Sequence, residues 1–214
     1  MISRLFTLIN PSYRRAKRRA RRVFEGVMAQ TRRPDFYTHF AIPDDFDGRF
    51  EVLSLHSALF LKALQVQALQ VRAQSPQTGA SARDYSKMSQ AYFDVMFENL
   101  DYALREMGVG DLGVPRRIKK YMMAFHGRAK AYEAGLGGAT SPSNSPPHDS
   151  PRHDLAAAIA RNIYFGHEAA GAANSMALAS YAQQCFELMS AEMEQILSTA
   201  EFRFPALPRQ NKAA

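Results

Sequence analysis

Between Gly48 and about Ala73, apolar residues surround most of a helix: Phe50, Val52, Leu53, Leu55, Leu59, Phe60, Leu61, Leu64, Val66, Leu69 and Val71. A helix that is apolar on nearly every side has no face to give to water, so other elements must wrap it. Asp47 is placed to cap its start. No alternating strand pattern of useful length competes, and no internal repeat appears. With 214 residues the chain can bury a sizeable core. The expectation is an all-α fold: a single compact multi-helix domain with a basic amphipathic helix at its N-terminus.

The neighbouring helices each show one stripe. From about Arg83 to Met107 it is Phe93, Met96, Phe97, Leu100 and Leu104, with Gly108 as a C-terminal cap. After the corner GVGDLGV, Pro115 sits near the first turn of the next helix, whose stripe is Ile118, Met122, Phe125, Ala129 and Tyr132. Two more helices are expected over about Asp154–Phe165 and Ala172–Ala200. The second carries Met176, Ala179, Phe186, Met189, Met193 and Ile196. Pro34 to Pro43 reads as a short helical turn or loop, and Ser75 to Ala82 as a loop. The expected organisation is a basic arm over 1–33, a helical body over 34–204 with a disordered linker at about 137–153, and a loose tail over 205–214.

Charge is partitioned rather than spread. Residues 1–33 hold ten Lys/Arg against Glu25 alone, a balance of +9, while the rest of the chain stands at −2. A nucleic-acid binder that is basic over its whole body is therefore excluded. Within the arm, Ser12 is placed as an N-cap. Tyr13, Ala16, Ala20, Val23, Phe24, Val27 and Met28 then form an apolar stripe. Arg14, Arg15, Lys17, Arg18, Arg19, Arg21 and Arg22 cover the remaining surface. Such a helix can dock on the body with a solvated basic face, or meet anionic lipid or RNA. Arg116, Arg117, Lys119 and Lys120 form a second cluster, in a first helical turn where positive charge opposes the helix dipole.

Motifs for chemistry are missing. GVGDLG at 108–113 lacks the lysine of a phosphate loop, and no strand precedes it. His148, Asp149 and His153 lie in the linker, where no preformed metal site is expected. His56 and His126 read as internal helix histidines, and Cys185 beside Phe186 as an inert thiol. No catalytic residue, metal or cofactor is expected. Leu5–Ile9 is too short for a secretory signal, and Ala169–Phe186 is too polar and Ala-rich for a bilayer span.

Several segments in order resemble one family. They are AQTRRPDFY at 29–37, PDDFDGRFEVLSLH at 43–56, and LREMGVGDLGVP at 104–115 with Gly127-Arg128…Tyr132 after it. A weaker one is ARNIY at 160–164. Together they resemble the ubiquinol–cytochrome c chaperone family, in a bacterial form whose basic helix belongs to the mature protein. The resemblance implies a non-enzymatic assembly chaperone. It would bind newly made cytochrome b, near the ribosome or membrane, and promote assembly of the bc1 complex. It would work in the cytoplasm or peripherally at the inner face of the cytoplasmic membrane. Such work needs an apolar surface for a client helix and a basic surface for rRNA or anionic lipid. The client surface is assigned to Arg105, Glu106, Met107, Val109, Asp111 and Leu112. The phosphate contacts, to ribosome or membrane, are assigned to the seven arm cations and to Arg116, Arg117, Lys119 and Lys120. A plainer reading stands beside this one: Asp111 capping a turn, Arg105 and Glu106 pairing within the fold. The rival functions are a nucleic-acid- or ribosome-binding protein acting through the arm and a lipid- or quinone-binding helical protein. Sequence-specific DNA recognition is not expected.

Overall fold

The computed structural model describes residues 11–74, 79–136 and 151–208. Among them are eight helices and no strand: α1 (Pro11–Thr31), α2 (Asp35–Thr38), α3 (Phe46–Gln74), α4 (Gly79–Glu106), α5 (Val114–Gly135), α6 (Pro151–Ile163), α7 (Glu168–Ala191) and α8 (Met193–Thr199). The fold is all-α, with the expected N-terminal helix.

By its internal contacts the chain groups into two compact units. Unit 1 takes the described residues of Met1–Gly26, Ala63–Ala124 and Ser190–Phe202; unit 2 takes those of Val27–Lys62, Phe125–Met189 and Arg203–Ala214. In unit 1, Ala20, Val23 and Phe24 of α1 are buried, and the Phe24 ring meets Tyr92 of α4 edge-on at 5.8 Å. Burying a side chain the size of Val or Phe contributes roughly 1.5–3 kcal/mol, so this stripe is enough to hold the arm down. The Tyr13 hydroxyl donates to Asp94 and Lys17 pairs with Glu98, which fixes the register of α1 on α4. In unit 2, Phe36, Phe40, Leu55, Leu59, Phe60, Tyr132, Tyr164 and Tyr181 are buried to 1% exposure or less. The Phe40 carbonyl accepts from the Tyr164 hydroxyl at 2.9 Å and the Asn174 amide at 3.0 Å.

The expectation that other elements wrap α3 fits its burial up to Leu64; beyond it Leu69 is exposed. By length and composition α3 is apolar enough to cross a bilayer, but 61% of its most apolar stretch is buried, as in a core helix. Its cap is Asp45, whose Oδ1 accepts from the Gly48 N–H at 2.7 Å, so Asp47 falls in the first turn instead. A Cβ at Gly48 would run into the Pro43 carbonyl, which explains glycine three residues after the cap.

Other boundaries shift. Ser12 lies inside α1 rather than before it. α4 starts at Gly79, inside the expected loop, and residues 75–78 are outside the described set. α6 starts at Pro151, inside the expected linker, whose residues 137–150 are also outside it. Proline favours the first turn of a helix, so the composition reading ran three residues too far. The expected helix 172–200 starts earlier, at Glu168, and is broken at Glu192 into α7 and α8. Met176, read as core, faces outward at 38% exposure. Residues 201–208 have no regular secondary structure, yet the Phe204 ring lies 5.5 Å from His56.

Candidate functional site

Unit 2 gathers most of the residues whose sequence context is family-like. In the DGRFE stretch of α3, Arg49 donates to Asp44 at 2.7 Å and lies over the Tyr37 ring at 5.9 Å. Glu51 is buried and forms a two-pronged pair with Arg128 of α5. The Arg128 guanidinium also stands 5.6 Å over the Phe50 ring. Burial pushes the Glu51 carboxyl up, with the Arg128 hydrogen bonds acting against it. One turn after Arg128, the fully buried Tyr132 has no hydrogen-bond partner for its hydroxyl among the described residues.

His56 anchors a second network. Its Nδ1 sits 2.8 Å from the Val52 carbonyl, which can only accept, so Nδ1 carries the proton. Nε2 therefore accepts from the Tyr181 hydroxyl at 2.9 Å, and the Tyr181 oxygen accepts from the Gln30 amide at 2.8 Å. Phe36, Tyr181 and Phe204 surround the imidazole. Burial holds its pKa down at about 4. Burial likewise pushes the Cys185 thiol up to about 12, with Tyr181 acting in the opposite sense, which leaves a thiol rather than a thiolate. His126, expected inside, is exposed.

The His56 network has a measurable pH signature. An unfolded histidine titrates near 6.5. Below that pH the unfolded state takes up a proton that folded His56 refuses until about pH 4. Its stabilisation is therefore complete above pH 6.5 and is lost as pH falls toward 4, at about 1.4 kcal/mol per pH unit. Urea unfolding of wild type against His56→Gln at pH 7, 6 and 5 is expected to show that extra slope in wild type alone.

All of the residues assigned from sequence to client or phosphate contacts belong to unit 1. α4 ends in a Schellman motif: the Gly108 N–H donates to the Arg105 carbonyl at 2.9 Å and the Val109 N–H to the Leu104 carbonyl at 3.1 Å. Gly108 takes φ +79°, as its expected capping role requires. A turn closed by the Gly113 N–H on the Gly110 carbonyl leads into α5. The polar residues of the corner are paired locally. Arg105 donates to Asp101 at 2.7 Å and pairs with Asp111, and Glu106 accepts from the Tyr102 hydroxyl. Beside these exposed, paired charges two large apolar side chains also stand outward, Leu112 at 98% and Met107 at 54% exposure, with Val109 half-buried.

On α1, Arg14, Arg15, Arg18, Arg19, Arg21 and Arg22 are exposed, while Lys17 is committed to Glu98. On α5, Arg116, Arg117, Lys119 and Lys120 are exposed and have no ion-pair partner among the described residues.

Taken with the fold, these features define an all-α protein with a cationic helix face. Its buried Glu, His and Tyr side chains, with the half-buried Arg128, tie helices together. The chain belongs to the ubiquinol–cytochrome c chaperone family, whose model matches residues 38–204. The segments at 43–56, 104–115, 127–132 and 160–164 fall inside that match, and 29–37 precedes it. The crystal structure of the Cbp3 homolog from Brucella abortus is similar over 97% of this chain and 98% of its own. The two are 29% identical, with a TM-score of 0.68. No curated protein matches the chain.

Proposed function

We propose that this protein is an assembly chaperone that receives newly made cytochrome b and promotes assembly of the bc1 complex. The observation that carries the reading, beyond family membership, is the α4–α5 corner. Its charged groups are satisfied within the corner, while Leu112 and Met107 are left in water. Isolated exposed leucines are common; two large apolar side chains at one rigidly capped turn, ringed by paired charges, have the anatomy of a docking spot. A transmembrane client helix would cover them before it reaches its partners. The cationic faces of α1 and of the start of α5 make the second contact, to a phosphate-bearing surface at the ribosome or the inner face of the membrane.

The test is a deletion strain. Loss of the gene should lower assembled cytochrome b, and the wild-type copy should restore it. A deletion strain with normal cytochrome b would sink the proposal. Pulldown of the tagged protein should co-purify cytochrome b in pulse-labelled cells.

A further inference from the structure

Arg15 and Arg19, one turn apart on α1, line a concave pocket of about 260 Å³ in unit 1. Lys87 of α4 joins them with Ser12 and Asp84, and Ala16, Met88 and Leu197 add an apolar part to the lining. Like charges four residues apart repel, and among the described residues neither arginine has an ion-pair partner. Lys87 meets Asp84 at 3.3 Å, but that carboxylate is 71% exposed, and such a surface pair yields readily to a better anion. Three cations and one weakly held carboxylate, Asp84, therefore line one pocket together with buried Met88.

We infer that this pocket binds the phosphodiester headgroup of an anionic phospholipid. The two guanidinium forks suit phosphate oxygens, and Lys87 adds a point charge. The apolar part of the lining, from Ala16, Met88 and Leu197, suits the glycerol carbons next to the phosphate. A nucleic-acid backbone would instead call for a run of cations without that lining and with aromatic platforms for bases. The volume falls just below that of a pocket for a drug-sized ligand, which fits a headgroup. The inference rests on reading the α1 face as a phosphate contact, and it narrows that face to one site.

The experiment is co-sedimentation of the full chain with phosphatidylcholine vesicles, with and without phosphatidylglycerol. Arg15→Gln/Arg19→Gln/Lys87→Gln is compared with Arg14→Gln/Arg18→Gln/Arg21→Gln, which removes the same charge from the same region. The pocket triple is expected to lose about tenfold more partitioning than the control triple, with unchanged helical circular dichroism and melting. Should the pocket triple melt lower, Arg15→Lys/Arg19→Lys keeps the charge and is expected to lose binding several-fold, because the fork geometry is gone. Equal losses in the two triples overturn the site in favour of a diffuse basic face. Complete competition by inorganic phosphate at the same phosphate concentration overturns the lipid assignment. So does wild-type protein that ignores anionic vesicles but binds single-stranded RNA. None of these results touches the chaperone proposal, which is decided separately by cytochrome b in the deletion strain.

Discussion

Arg128→Ala is expected to destabilise the protein by about 3 kcal/mol, because it leaves the Glu51 carboxylate buried without its partner. The lower end of the range for a broken buried pair applies, since the Arg128 side chain is 22% exposed and water can reach the vacated space. For a chain of this length that corresponds to a melting point lower by about 6–12 °C. The loss belongs to the stranded charge rather than to the pair. Glu51→Leu/Arg128→Met, which replaces both partners with apolar groups of similar size, should therefore recover most of it. A double variant as unstable as the single one would mean that the pair itself, not the orphaned carboxylate, holds α3 against α5.

Met107→Asp/Leu112→Asp should do the opposite: little to stability and much to function. Both side chains stand in water, so unfolding should change by no more than about 0.5 kcal/mol. If they anchor a client helix, each is worth roughly 1–2 kcal/mol of binding, and together at least about tenfold in affinity. Cytochrome b in the complemented deletion strain should fall accordingly. Phe165→Asp is the control, since Phe165 is 85% exposed but lies in unit 2. A larger defect from Phe165→Asp than from the corner variant would move the client surface away from residues 107–112.

The fold was legible where one periodicity ran unbroken. The apolar girth of α3, the stripe of α1 and the glycine cap after α4 are local signals, and local geometry obeys them. The break at Glu192 was not legible. Met189, Met193 and Ile196 keep helical spacing across it, and all three stay buried, so the pattern carries no trace of the interruption. The pairing of Glu51 with Arg128 spans 77 positions, and that of Gln30 with Tyr181 spans 151; no periodicity encodes such partners. Both Glu51 and Arg128 stood in the family-like segments, so the signal was present without its meaning. In unit 2 the family-like segments include residues that hold helices together. At the corner the reverse applies: Arg105, Glu106 and Asp111 turn out to be engaged with neighbours. The apolar pair beside them, Met107 and Leu112, is what remains to meet something else.

The long-range ties also bear on how a copy of this protein is made. Synthesis proceeds from the N-terminus, and domains ordinarily close as they emerge. Neither unit can do so here. Unit 1 includes Ser190–Phe202, and unit 2 draws on Tyr181 for the His56 network and on Phe204 for the ring against that imidazole. Contacts between residues so far apart in sequence also form slowly. Until α7 has left the ribosome, the α3 residues around His56 lack part of their cover, and α3 has the length and hydropathy of a bilayer span. A nascent copy thus carries, until its later helices arrive, a segment that a membrane-insertion machinery could accept.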